Sequence, residues 1–150
     1  MKTLIKKIII LACFSNFIPT TLPMLQAGLP LSEAQTYAKN IYNSYLENLT
    51  TSAAVNAKNA GLTWLQNVLK YKNRSQNNTL DEAFIRKIAL DYVILAIKDY
   101  FQRQNGFDEE YENEVDKRLF QLFKKDENEF RGVLSSEESL RFFFYEIKKS

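Results

Sequence analysis

The sequence predicts an all-α protein in which a compact bundle of four to five helices follows a cleaved N-terminal signal peptide. Apolar residues recur at intervals of three and four along most of the chain, which is the spacing of a buried helix face. No stretch alternates apolar and polar residues as a half-buried strand does. Glycine and proline are also scarce, since the 150 residues contain four glycines and three prolines. So few turn formers favour a small number of long helices.

The first 27 residues have the features of an export signal. Lysines at positions 2, 6 and 7 precede a short apolar core at residues 8–14, and an acceptable cleavage site precedes Gly28. We therefore expect residues 1–27 to be a signal peptide and residues 28–150 to be a single helical domain that is secreted or periplasmic. A lipoprotein site at Cys13 would leave an apolar core too short for a signal. Polar and proline residues further along interrupt the segment, so no stable transmembrane span is expected.

Two helices are predicted in the first half of the mature chain. The first extends over residues 32–49 and starts with a capping box. The second is capped by residues 50–52 and ends near Lys70, with Trp64 filling volume on its inner face. Gly61 lies inside this helix, where glycine is less favourable than alanine by about 1 kcal/mol. We therefore expect a close helix contact or a local bend at that position.

The third helix is predicted to follow the longest loop, a polar stretch at residues 70–78. A capping box at Thr79 opens the helix, which ends near Gln104 before the stop signal at residues 105–106. Its sequence is apolar around most of the helix circumference. A helix of that kind belongs in the middle of a bundle.

Two more helices are predicted after residue 106. The fourth begins at Phe107 and Asp108, where consecutive acidic residues suit the positive end of the helix dipole, and it stops near Gly132. Ser135 caps a final short helix. The inner face of that last helix is predicted to consist of Leu140, Phe143, Phe144 and Ile147.

The residue types left after cleavage exclude most catalytic chemistry. The chain has no histidine, and its only cysteine, Cys13, lies in the signal. The usual general base at neutral pH, thiol nucleophiles and thiolate metal sites are therefore missing. Carboxylate pairs alone support catalysis in some enzymes, but the acidic run at residues 108–116 fits a solvated first helical turn better. We expect a non-catalytic protein without a cofactor or a metal.

Net charge also changes on cleavage, from +2 to −1, because the signal contains three lysines and no acidic residue. Nucleic-acid binding needs a basic face, so we expect no nucleic-acid partner. The remaining charge is uneven. Residues 28–105 carry a net charge of +3, whereas residues 106–150 carry −4.

An aromatic run near the C terminus suggests a protein-binding surface. Phe142 and Tyr145 fall beside the predicted inner face, next to Arg141, and aromatic residues left at a surface near an arginine are typical of binding hot spots. The alternative is that a short terminal helix docks with a wide buried face. We expect an effector- or inhibitor-like protein that binds an unknown protein partner through these three residues. The chain matches no motif set of a known family.

A second hypothesis places an anion site at Lys70, Lys72 and Arg74. The arginine could bind a phosphorylated lipid head group bidentately while the lysines act as point charges, which would make anionic membrane lipid a partner. The simpler interpretation is that these side chains complement the negative end of a helix dipole. Binding of a small apolar ligand, in the loop between the second and third helices or in the bundle interior, belongs to the same hypothesis.

Overall fold

The computed structural model describes residues 28–75, 79–106 and 108–149, and the chain is all-helical within them. The only β-type pairing among these residues is one antiparallel bridge between Leu29 and Leu80. The all-α prediction is confirmed, with six helices in place of four to five. The predicted signal peptide, residues 1–27, lies outside the described residues. The helices are α1 (Leu31–Leu46), α2 (Ser52–Ser75), α3 (Glu82–Asn105), α4 (Glu109–Lys125), α5 (Glu127–Val133) and α6 (Glu137–Lys149).

The additional helix arises because the predicted fourth helix is divided at Asp126. This residue is extended, with φ −158° and ψ 104°, and its backbone N–H closes α4 on the carbonyl of Leu122. Its carboxylate then accepts hydrogen bonds from the backbone N–H groups of Asn128 and Glu129. One aspartate therefore ends α4 and caps the N terminus of α5. Phe107, predicted as the start of α4, lies outside the described residues.

Helix α2 is longer than predicted, because residues 70–75 continue it to Ser75. The loop predicted at residues 70–78 is therefore wrong for its first six positions, and residues 76–78 lie outside the described part of the chain. Two reasons favour the longer helix. Lysine and arginine are good helix formers and suit the last turn of a helix. On the inner side of this end of α2, Leu69 and Asn73 are buried.

Three of the predicted helix caps, those of α1, α3 and α6, are displaced by one or two residues. Helix α1 starts after Pro30, with no side-chain cap, so the capping box at Ser32 is absent. Asp81, not Thr79, caps α3 by accepting a hydrogen bond from the Phe84 N–H. At α6 the hydroxyl of Ser136, not Ser135, accepts the N–H of Ser139. Neighbouring residues with similar capping side chains explain these shifts.

Buried side chains from all six helices form one hydrophobic core. Helix α3 packs against α1, α2 and α4, while α5 and α6 pack against each other and against α4. The central position predicted for the third helix is thus confirmed. Its fully or nearly buried apolar residues are Ile85, Ala89, Val93, Ile94, Ala96, Ile97, Tyr100 and Phe101.

Gly61 marks a close contact between helices, one of the two outcomes predicted at this position. A Cβ atom at this position would overlap the hydroxyl of Tyr42 on α1 and crowd the Cβ atom of Ala96 on α3. The Tyr42 hydroxyl donates a hydrogen bond to the Lys58 carbonyl one turn earlier in α2. Trp64, in contrast, is not on the inner face. Its side chain is 49% exposed, because the buried stripe passes from Gly61 to Leu65.

Candidate functional site

A groove of about 670 Å³ lies between α5 and α6. We call it the α5–α6 groove. Its apolar part consists of Val133 on α5 and of Phe142 and Phe143 on α6. Phe142 is 63% exposed, which is unusual for a phenylalanine side chain. The remaining lining residues are Glu129, Gly132, Glu138, Ser139 and Glu146.

The first turn of α6 is fastened to the residues just before α2 and to α3 by the buried carboxylate of Glu137. It accepts hydrogen bonds from the backbone N–H groups of Thr50 and Thr51, both at 2.9 Å. The hydroxyls of Thr51 (2.5 Å) and Tyr100 (2.9 Å) also donate to it. Burial alone would raise the pKa of the Glu137 carboxyl, but these hydrogen bonds to the charged form outweigh burial and hold the pKa below its ordinary value. The carboxylate therefore fixes where the groove wall begins.

The second half of α6 is held against α3 and α4 by aromatic contacts. The ring of Phe144 packs edge to face on Phe101, with centroids 4.9 Å apart. The hydroxyl of Tyr111 on α4 donates a hydrogen bond to the Phe144 carbonyl. With Leu140 and Ile147 also buried, the inner face of α6 is fully used. Phe142 is consequently left on the outer side of the helix.

Helix α5, the other wall, is anchored by Phe130 and Glu127. Phe130 is buried between the rings of Tyr45 and Phe123, with centroids 5.7 Å and 5.2 Å away. The Tyr45 hydroxyl donates to the Glu127 carboxylate at 2.7 Å. That hydrogen bond is the main cause that lowers the pKa of Glu127. Arg131 then stacks on the Tyr45 ring at 3.8 Å.

The rim of the α5–α6 groove is acidic. Glu129, Glu138 and Glu146 are exposed, and none of them forms an ion pair with another described residue. No lysine or arginine is among the described lining residues. The groove thus combines an apolar floor with a negative rim.

The structure places the three predicted partner-binding residues in different surroundings. Phe142 lines the α5–α6 groove, whereas Tyr145 is 59% exposed but lies outside the lining. Arg141 leans toward α3, where its guanidinium lies 3.4 Å from the Tyr100 hydroxyl. Of the residues that line this groove, Phe142 is predicted by the sequence as a candidate but Val133 and Glu129 are not, because the sequence pattern does not indicate the separate helix α5. Phe143, assigned to the inner face, is only half-buried and borders the groove.

The predicted anion-binding residues lie on the last two turns of α2, not in a loop. Lys70 and Arg74 are exposed and four residues apart, so they share a helix side. Lys72 is half-buried and lies 6.0 Å from the ring of Tyr71. The exposed side also carries Trp64 and, seven residues later, Tyr71. The Tyr71 side chain is 67% exposed. We call Trp64, Lys70, Tyr71 and Arg74 the outer face of α2.

A second apolar groove, of about 450 Å³, separates α3 from α4. Its charged residues have both signs, and Lys87 pairs with Asp91 at 3.4 Å. This groove therefore lacks the unpaired, one-signed rim of the α5–α6 groove. Its apolar lining consists of Leu90, Ile94, Phe120 and Phe123.

Several residues of the acidic run at the start of α4 already have partners within the fold. Glu114 pairs with Arg118 at 2.8 Å, as its spacing predicts, and Asp116 pairs with Lys98 at 3.6 Å. Across the residues that the structure describes, no group of three acidic side chains could hold a metal ion. In the same ranges, no helix is both long enough and apolar enough to cross a membrane.

Comparisons of the chain with models of known protein families, with curated proteins and with solved structures found no match.

Proposed function

We propose that this chain is an exported, non-catalytic helical protein, secreted or periplasmic, that acts by binding another protein through the α5–α6 groove. The single observation that carries the proposal is Phe142, an aromatic side chain that is mostly exposed above an apolar groove. Aromatic side chains that enter a complementary pocket supply much of the energy of protein interfaces. The export signal that the sequence predicts at residues 1–27 supports the location.

The rigidity of both walls supports a binding role. Glu137 and Phe144 hold α6, and Phe130 holds α5, through buried contacts made before any partner arrives. A preorganised surface loses little conformational entropy on association. The carboxylates of Glu137 and Glu127 have shifted pKa values, but hydrogen bonds engage both of them. Because both carboxylates are engaged in hydrogen bonds between helices, we assign them a structural role, which supports a non-catalytic protein.

Affinity recovery from the native extracellular setting tests the proposal. We expect the chain from Gly28 onward to recover a partner, and the variant Phe142→Ser with Tyr145→Ser to lose it, because the exposed aromatic surface is gone. The matched control is Trp64→Ser with Tyr71→Ser, which removes two exposed aromatics from α2. Circular dichroism should be unchanged in both variants. Equal recovery by both variants would overturn the proposal.

A second candidate function is binding of an anionic lipid head group by the outer face of α2. Helix α2 contains three lysines and one arginine but no acidic residue, and tryptophan and tyrosine are the aromatics favoured at membrane surfaces. Each basic residue contributes only about 1 kcal/mol near an anionic membrane. Flotation with phosphatidylserine vesicles at low salt should therefore weaken when Lys70 and Arg74 become glutamine. Lack of flotation by the unaltered chain would remove this candidate.

A further inference from the structure

We infer that the partner of the α5–α6 groove presents a cationic amphipathic helix to it. This inference rests on the proposed function and adds the chemistry of the partner. A large apolar side chain of that helix would contact Phe142 and Val133, which line the groove. Lysines or arginines on either side of it would meet the rim glutamates. Helix-in-groove binding of this kind is a recurrent mode of peptide recognition.

Glu146 is the residue that helix stability does not explain. It lies in the last turn of α6, where a negative charge opposes the negative end of the helix dipole. It forms no ion pair with a described residue. Glu129 and Glu138 lie in first turns, where acidic side chains are favourable. An external cation is the partner that would give the Glu146 charge a favourable contact.

The spacing on α6 indicates how the partner charges are arranged. Glu138, Phe142 and Glu146 follow one another at intervals of four, so they lie along one side of the helix. A rise of 1.5 Å per residue separates the two glutamates by about 12 Å along the axis. A partner helix that packs along α6 matches this pattern with two basic residues eight positions apart and a large apolar residue midway. The third glutamate, Glu129, faces the same groove from α5.

A designed peptide provides the probe. It is an alanine-based helix of about 15 residues, near the lower length limit for a stable isolated helix, with two lysines eight positions apart and a leucine midway. The comparison peptide has glutamates in place of the lysines. Fluorescence anisotropy at low salt should detect binding of the lysine peptide and not of the glutamate peptide. Replacing the leucine by alanine should also weaken binding, because the groove floor is apolar.

Neutralising the rim is the decisive change. In Glu138→Gln with Glu146→Gln the lysine peptide should bind about three- to tenfold more weakly, the range expected from two exposed charge contacts. The matched control, Glu109→Gln with Glu110→Gln, removes the same number of charges from exposed residues in the first turn of α4. It should retain the affinity of the unaltered chain. Equal weakening in both variants would show general charge attraction and would overturn the inference.

Recovery of the natural partner separates this inference from the proposed function. Loss of recovery with Phe142→Ser and also with the two rim substitutions supports both. Loss with Phe142→Ser alone, with recovery insensitive to the rim substitutions and to added salt, overturns the cationic partner and leaves the groove as the binding site. Recovery that does not depend on Phe142 overturns the proposed function itself.

Discussion

The α5–α6 groove and the outer face of α2 both expose large aromatic side chains, yet they differ in charge and in shape. The groove is concave and has a negative rim of three glutamates around Phe142. The outer face of α2 is the surface of a single helix, with Lys70 and Arg74 beside Trp64 and Tyr71. The excess positive charge of the first half of the sequence and the excess negative charge of the second half are therefore represented on different surfaces. Each aromatic surface carries one sign of charge.

The two regions also differ in how they are supported. Both walls of the groove are held by polar contacts, those of the buried Glu137 and the half-exposed Glu127. Helix α2 is held against α1 by the close packing of Gly61 on Tyr42 and by hydrogen bonds that the side chains of Lys58 and Gln66 donate to backbone carbonyls of α1. The comparison teaches that the groove is built to keep a defined concave shape, which suits a specific partner. The outer face of α2 offers only a row of side chains, which suits a flat or loosely defined surface.

The largest expected effect comes from Glu137→Ala, which breaks the support of the groove. It leaves the buried hydroxyl of Tyr100 and two backbone N–H groups without their carboxylate, so we expect a loss of about 2–4 kcal/mol in the free energy of unfolding. Urea denaturation measures it. The neighbouring Glu138→Ala removes an exposed acid and should cost less than about 0.5 kcal/mol. Similar losses in the two variants would refute the anchoring role of Glu137.

A smaller effect is expected from Gly61→Ala, which disturbs the packing of α2 and not the groove. The added methyl group overlaps the Tyr42 hydroxyl, and overpacking of this kind costs about 1–3 kcal/mol. The gain in helix propensity, about 1 kcal/mol, offsets part of that loss. Adding Tyr42→Phe removes the overlapping oxygen and should restore part of the stability. The control is Tyr42→Phe in the otherwise unaltered chain. If Tyr42→Phe lowers the free energy of unfolding by the same amount with Gly61 and with Ala at position 61, the overlap is not the cause of the loss.

The smallest effect is on the pH dependence of stability, and it again concerns the groove side. The pKa of Glu137 is lowered by folding, so between the folded and unfolded values the unfolded chain binds more protons. The contribution of Glu137 is therefore complete above the ordinary pKa of 4.5 and is lost as pH falls through the lower folded value. Glu137→Gln should show a flatter decline of unfolding free energy below pH 4.5. A slope identical to that of the unaltered chain would contradict the pKa shift.

The helical periodicity of the sequence was enough to predict the fold class and the central third helix. The sequence also indicated a close contact at Gly61, because glycine is unfavourable in a helix interior and a close contact is one reason for its presence there. It could not predict the division at Asp126, since an aspartate inside a helical pattern reads equally well as a surface residue. Trp64 was wrongly placed on the inner face of α2. Successive positions on a helix differ by about 100°, so a residue next to the buried stripe can face solvent, and the large apolar side chain of Trp64 favoured the wrong assignment.

The candidate site was only partly predictable. Exposure of Phe142 followed from its position beside the inner face of α6, but the groove also needs Val133 and Glu129 from α5. Their approach to α6 depends on the turn at residues 134–136, which connects the two short helices. Periodicity assigns residues to the faces of one helix. It contains no information on how that helix crosses its neighbour.

Gly132 allows the most direct test of the claim that the α5–α6 groove binds a partner. This glycine lines the groove, and a Cβ atom added there would meet no other atom within 4 Å. Gly132→Lys therefore adds a long side chain that is attracted by the rim glutamates and can fill the groove while every native side chain remains. Gly132→Ala is the control, and it should bind normally and gain up to about 1 kcal/mol in stability. We predict that the lysine variant melts no lower than the unaltered chain and recovers its partner at least tenfold less well. Full recovery with Lys in place of Gly132 would contradict the account.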